Sequence, residues 1–531
     1  MKKFIFFCIL TFLIYGCSKQ KTIDELINSA NESEVNYAID EIWRLNKTEY
    51  TINLVNLLTN EKYKIKAAFA LSFLNFETID KIIYNNLNKN LKNADGFLFY
   101  FFLVSKKRKI DNGILQFIRN NFSELKDRNS FIAYMLFSRT IDKKYIRDLI
   151  DFLSKNQLNF DTAIEKELLL LIGEEKFKIT ENEIKKIFSQ KEYLKPFIIW
   201  AENRLNPKKM IKVDKVDRII TENNYWKKYE KNPVIPTVSG TFKSVHTANP
   251  DLIVHNNTIY LYYRGGDGND RIAVATVPYE YFDGIKFIDY IGNPVIDIGK
   301  KSFDDLAVLD PATIYFNNKL FLYYSGLGTV KPDSIGLAVS NDFFHFAKAK
   351  KNPVLKGRAP EVLQKDGVIY LYYVLFNTRQ GYSIYLATSR DGYNFTEFTK
   401  SPVFEYSPDE NEWDSKTVTT PRIIEKDGVY YMVYAGDNRY LDYPPYFGIA
   451  FSYDLINWYR STQNPIFSRG KKGEWDDGGI WFAQIFEYKN KWYMWYEGWG
   501  GGEAHKNEYG RGGHSQIGLA ICDSYGIEDM L

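Results

Sequence analysis

Three carboxylates recur at matching places in the chain: Asp251, Asp310 and Glu361 each stand beside an anchoring Pro, at 250, 311 and 360. Carboxylates grouped in one site can donate and accept protons for general acid–base chemistry. Arg422 and Gln484 occupy the equivalent places beside Pro421 and Ala483. The residues on the other side of the anchors are Asn249, Asp310, Ala359, Thr420 and Phe482. Side chains two apart on a strand share a face, so the residues before and after each anchor should point the same way. If each hairpin begins with the innermost strand of a sheet, that face opens on a central channel where all of these groups converge. Packing does not ask for a polar residue there each time. The structural alternative is that they cap turns and bind channel water, since Asp and Asn stabilise turns.

The anchors belong to a repeated hairpin. NPDLIVHNNTIYLYYRG, from Asn249, returns as DPATIYFNNKLFLYYSG, APEVLQKDGVIYLYYVL, TPRIIEKDGVYYMVYAG and FAQIFEYKNKWYMWYEG. The anchor spacings are 61, 49, 61 and 62 residues. Each copy has an apolar run, a two-residue turn and an aromatic strand. Pairs such as Asp366-Gly367 and Asn256-Asn257 tolerate the positive φ of tight hairpins. A period of this size in a strand-rich sequence predicts radial or stacked repeats.

A second marker keeps step: an aromatic residue, then Asn/Ser-Pro-Val/Ile six positions later. It follows four hairpins, at Asn293, Asn352, Ser401 and Asn464, but its fifth copy, Trp226 to Asn232-Pro233-Val234, precedes the first. That copy supplies the missing outer strand of the last blade. Such closure protects sheet edges. The prediction is an N-terminal all-α, solenoid-like domain followed by a five-bladed β-propeller over 222–531. The aromatic strands read as blade core.

The chain has 531 residues, room for more than one domain. Its net charge of +3 gives no support to a nucleic-acid partner. Residues 1–17 read as an export segment: Lys2-Lys3, then a short apolar run from Phe4 to Ile14, too short for a comfortable span. The ending Leu13-Ile14-Tyr15-Gly16-Cys17 resembles a bacterial lipobox, which implies lipidation of Cys17 and a tether to a membrane of the cell envelope. The three cysteines are Cys8, Cys17 and Cys522, which leaves no intrachain disulfide framework in the mature protein. Residues 18–205 show helical spacing, as in Ile146, Leu149, Ile150 and Leu153, and no Pro before Pro196. They read as an α-solenoid or irregular bundle, a spacer or a platform for a protein partner. Residues 206–221 read as a linker.

The C-terminal part resembles the five-bladed glycoside hydrolases of families 43, 32 and 130. The carriers are Leu309-Asp310-Pro311, hairpins ending Tyr-x-Gly, and the aromatic-Asp pairs Phe303-Asp304, Trp413-Asp414 and Trp475-Asp476. The resemblance implies acid–base cleavage of an oligosaccharide, with Glu361 as acid, Asp251 as the base activating water and Asp310 tuning them. Asp310 fits the family's second-blade acid. Asn249 stands where the first-blade Asp is usual, and Arg358 where the third-blade Glu is usual. Arg358 and Arg422 suit a sugar carboxylate or, as in family 130, phosphate. In some family 43 propellers a last-blade His helps hold a channel calcium, which makes His514 a candidate ligand. The Gly-rich loop GWGGGEAHKNEYGRGG, from Gly498, offers Glu503 and His505 to a substrate. His246 reads as rim. The alternative function is a non-catalytic lipoprotein that binds a glycan or a protein.

Overall fold

The computed structural model describes residues 21–58, parts of 60–74 and, with short gaps, 162–222 and 225–531; the largest gap in the last stretch is 501–513. The chain divides into two compact units, Met1–Leu168 and Leu169–Leu531. In the first, helices span Ile23–Ile27, Glu32–Arg44 and Thr51–Leu57. Thr22 and Glu25 form a capping box, and Asn31 caps the second helix through Ser33 N. Val35, Ala38, Ile39 and Ile42, spaced three and four apart, are its buried stripe. Most of the helical domain expected over 18–205 lies outside the described residues, as does the lipobox with Cys17. Among the described residues no helix is long and apolar enough to cross a membrane.

The cut at 168/169 falls ahead of the linker expected at 206–221. The reason is Trp200, on the helix Lys195–Leu205. Its ring meets Phe451 and Tyr459 at 5.7 Å and its Nε1 donates to Arg460 O at 2.9 Å. This helix therefore belongs with the sheets.

Among the described residues the second unit holds a two-stranded pair, Lys212–Val213 with Ile220–Glu222, and five antiparallel sheets, the first two joined by one parallel pairing of Asp270 with Ala307. The inner strands of the five sheets are His246–His255, Ala307–Phe316, Arg358–Lys365, Thr417–Lys426 and Gly479–Tyr488. Each lies against the next, and the fifth lies against the first, so the sheets form a closed ring. All five hairpin turns have two residues at positive φ, for example 46° and 56° at Asn256-Asn257 and 53° and 75° at Asp427-Gly428. Closure follows the displaced marker: Lys227–Lys228 pairs with His514–Cys522, and Ile235 bridges Ile517.

The two repeated motifs hold the sheets together. In Asn-Pro the Asn amide acts as an extra peptide unit. Asn293 accepts from Val274 N and donates to Val274 O, both at 2.9 Å, and Asn352 does the same with Leu337. Each aromatic-Asp pair clamps its own sheet. Asp304 accepts from Tyr324 Oη and Lys348 Nζ, Asp414 from Tyr434 Oη and Arg460 Nε, and Asp476 from Tyr496 Oη and Lys228 Nζ. In the first sheet the signs are reversed. There Lys243 follows the aromatic Phe242 and pairs at 2.7 Å with Asp289 of the outer strand, which also accepts from Tyr263 Oη. The Ser-x-Asp turns at 340, 389 and 452 are likewise structural: each Ser Oγ accepts the amide three residues on.

Candidate functional site

The centre of the ring departs from regular strand geometry five times. Asn249, Asp310, Ala359, Thr420 and Phe482 all have positive φ, 49°, 55°, 48°, 47° and 52°. At each of them the register with the neighbouring strand shifts. These are β-bulges with a left-handed residue, a conformation that costs a non-Gly residue about 1–2 kcal/mol. Backbone strain repeated at one level of a fold marks a place where side chains are being aimed.

The bulge breaks the alternation on which the expected triad rests. Residues before the anchors and residues after them do not share a face. The first set lines a cavity of about 190 Å³. The second set is packed away from that cavity. Of the expected catalytic residues only Asp310 lines it; Asp251 and Glu361 do not.

Arg422 organises this packed layer. Its guanidinium, 1% exposed, donates to the carbonyls of Pro250, Pro311, Pro360 and Pro421 at 3.0–3.4 Å and to Glu361 Oε2 at 3.1 Å. It lies 4.8 Å from the centre of the Phe482 ring. Four of the five inner strands are thus tied to one side chain, so Arg422 is not a ligand-facing group. Glu361 also accepts from Ile423 N at 2.7 Å. Burial pushes its carboxyl up to about 8, against the pull of Arg422. Asp251 accepts from Thr313 Oγ1 at 2.6 Å and Thr313 N at 3.0 Å, and burial raises it too. Gln484 Nε2 donates to Ile485 O at 3.4 Å and is absent from the cavity lining. The expected acid and base are therefore internal ties. Glu361→Gln should leave turnover within a few-fold of the parent while lowering the denaturant midpoint, because it weakens a buried ion pair. Loss of turnover with an unchanged midpoint would contradict this assignment.

The cavity is built from other residues. Asp310, 5% exposed, has a carboxylate that forms no hydrogen bond within the described residues. Its charge acts on both Arg264 and Arg358. Arg358 also lines the cavity, and among the described residues its ion pair is a long one of 3.7 Å to Asp333. Asn249 also lines it. Its Nδ2 donates to Glu497 Oε2 at 2.6 Å, while its buried Oδ1 has no partner. Glu497 accepts as well from Ser515 Oγ at 2.6 Å and Arg264 Nη2 at 3.3 Å. Burial pushes Glu497 up and Arg264 opposes the shift. Asp442 accepts from Trp481 Nε1 at 3.2 Å. Burial raises it, Arg358 lowers it and the Asp310 charge raises it further. Tyr443 packs between Trp481 and Trp499, at 5.5 and 6.2 Å, and gives the cavity an aromatic wall.

Arg264, Asp442, Glu497 and Trp499 were not singled out from sequence. A signal existed for two of them: Arg264 and Glu497 are the variable residue of Tyr-x-Gly in the first and last hairpins. A charge in the middle of a buried aromatic strand needs a polar site to face. His246, behind this wall, stacks on Trp499 and accepts from Ser515 N at 3.3 Å. Burial and Arg264 push it down to about 4, so it stays neutral. His505 lies outside the described residues. His514 begins the strand that pairs with Lys491–Gly500, opposite Gly500. Among the described residues no group of three His, Cys, Asp or Glu is placed to hold a metal ion.

No family model and no curated protein matches the chain. Solved structures similar to it are glycoside hydrolases of propeller-type families. A glycosyl hydrolase from Bacteroides ovatus is 19% identical, over 57% of this chain and 94% of its own, with a TM-score of 0.43. A thermostable family-43 glycoside hydrolase is 20% identical over 54% of this chain and 92% of its own, with a TM-score of 0.42. A third comes from work on family 130, described as mannoside phosphorylases that include glycoside hydrolases targeting β-1,2-mannosidic linkages in Candida mannan. It is 19% identical over 57% of this chain and 95% of its own, with a TM-score of 0.44.

Proposed function

We propose that the closed ring is a five-bladed β-propeller that hydrolyses a terminal sugar from a glycan, with Asp310 as the base that activates water. The observation that carries this reading is Asp310 itself. It is a buried carboxylate that forms no hydrogen bond within the described residues, in a cavity lined also by Arg264, Arg358, Trp481 and Trp499. An unengaged carboxylate in a concave, aromatic-walled site is what a general base requires. Arg422 joins four inner strands in the adjacent packed layer. That tie favours a closed pocket for a chain end over an open channel for a polymer. The lipobox-like ending at Cys17 adds the proposal that the enzyme is tethered to a membrane of the cell envelope, with the helical domain as spacer.

A second reading, binding without cleavage, is favoured by the withdrawal of Asp251 and Glu361 from the cavity. The full chain, in detergent, separates the two on a panel of aryl glycosides with calorimetric binding run in parallel. Release of the phenol supports hydrolysis. Sugar binding without release supports the second reading, and neither one overturns both.

A further inference from the structure

Hydrolysis needs a proton for the departing oxygen as well as a base. The third-blade position that carries the donor in the resembling families holds Arg358, which stays protonated at any working pH and cannot serve. Besides Asp310, two carboxyls among the described residues line the cavity, Asp442 and Glu497. Glu497 is engaged on both oxygens. Oε2 receives Asn249 Nδ2, and Oε1 receives both Ser515 Oγ and Arg264 Nη2. Three donors take three of the about four lone-pair sites on its two oxygens and hold it in place as an acceptor, which makes it the poorer donor to an incoming glycosidic oxygen. Asp442 is engaged on one side only. Oδ1 receives Trp481 Nε1, and Oδ2 forms no hydrogen bond within the described residues.

We propose that Asp442 is the proton donor of this site, a catalytic residue carried on the connection that follows the second strand of the fourth sheet, in place of the third-blade acid. The inference rests on the hydrolase reading above. In the step, the Asp442 O–H bond breaks and its proton goes to the glycosidic oxygen. The bond from that oxygen to the anomeric carbon breaks, and its electron pair leaves with the oxygen. Water attacks the anomeric carbon and gives its proton to Asp310. One water is consumed, and both carboxyls return to their starting states by exchange with solvent. Burial and the Asp310 charge favour the protonated form of Asp442, while Arg358 and the Trp481 N–H oppose it. Two other titratable groups act on Arg358: Asp333, its ion-pair partner at 3.7 Å, and Tyr382, which burial pushes up to about 12 so that it stays neutral.

Asp442→Asn keeps an oxygen for Trp481 and removes the proton. The full chain is assayed on two glycosides of the sugar it cleaves. One is a dinitrophenyl glycoside, whose leaving group needs no proton; the other is an alkyl glycoside, whose leaving group does. The expected result is a fall of about 10²–10⁴-fold in kcat on the alkyl glycoside. Turnover of the dinitrophenyl glycoside should be nearly retained, and the alkaline limb of the pH profile should be lost. Asp442→Glu, which restores a proton, should recover part of the alkyl activity. Equal loss on both glycosides, or no loss on either, overturns Asp442 as donor and leaves the hydrolase reading standing. Failure of the parent to cleave either overturns the hydrolase reading, and the donor with it.

Discussion

Asp310→Asn is expected to lower kcat by about 10²–10⁴-fold on any glycan the parent cleaves, with no loss of folding stability. The substitution is a clean one for two reasons. The carboxylate forms no hydrogen bond within the described residues, so the amide leaves no partner unpaired. The backbone there is left-handed, with φ of 55°, and Asn adopts that region more readily than most residues. An Ala at the same position would mix lost chemistry with strain. Steady-state kinetics together with thermal unfolding checks the prediction: a changed melting temperature would mean that Asp310 supports the fold, and unchanged kcat would remove it from the chemistry.

Arg422→Met should have the largest effect on stability. It leaves the buried Glu361 carboxyl without its guanidinium partner and four prolyl carbonyls without their shared donor. Removing one partner of a buried pair costs about 3–5 kcal/mol. The loss should depend on pH in a defined sense. Burial and the Asp251 charge already hold the Glu361 carboxyl up to about 8 against Arg422, and without Arg422 it rises further. A group raised in the folded state stabilises below its unfolded value and loses that contribution as pH rises. Because the parent's Glu361 is itself raised to about 8, the variant should trail the parent by a constant amount up to about that pH and fall further behind above it. Adding Glu361→Gln should flatten this dependence. Urea unfolding across the pH range measures both effects, and a loss independent of pH would mean that the carbonyl contacts alone account for it.

Local chemistry made much of the ring legible. The two-residue turns, the Asn-Pro markers and the aromatic-Asp pairs each satisfy neighbouring groups, so their recurrence could be counted. The displaced marker at Asn232 located the closing strand correctly. The centre was not legible, because strict alternation is the default for a strand. Asn249 and Asp310 are types that tolerate positive φ, but Ala359, Thr420 and Phe482 are not, and nothing in them announces a bulge. One extra residue in each inner strand moved Asp251, Glu361 and Arg422 out of the expected site. Arg422 itself looked like a ligand-binding charge because its real partners, four backbone carbonyls, have no signature in side-chain types. Arg264 and Glu497 could have been found as charges within Tyr-x-Gly. Asp442 could not, since its connection has no counterpart in the other repeats.

The reversed clamp of the first sheet bears on how the ring assembles. All five outer strands place a charged residue opposite an Ala of the strand beside it: Asp289 opposite Ala275, Lys348 opposite Ala338, Glu397 opposite Ala387, Arg460 opposite Ala450, and Lys228 opposite Ala520. The strand carrying Lys228 leaves the chain just ahead of the first sheet and must travel past it to reach the last. Docked on the first sheet by mistake, it would set Lys228 against Lys243; in its proper place it meets Asp476. The Asp289 strand, shifted to any sheet with an aromatic-Asp pair, would bring two carboxylates together. Like charges placed opposite one another are destabilising and disfavour the wrong pairing. The sign change thus works as an address, directing the first strand of the ring past its nearest neighbour to the far end of the chain.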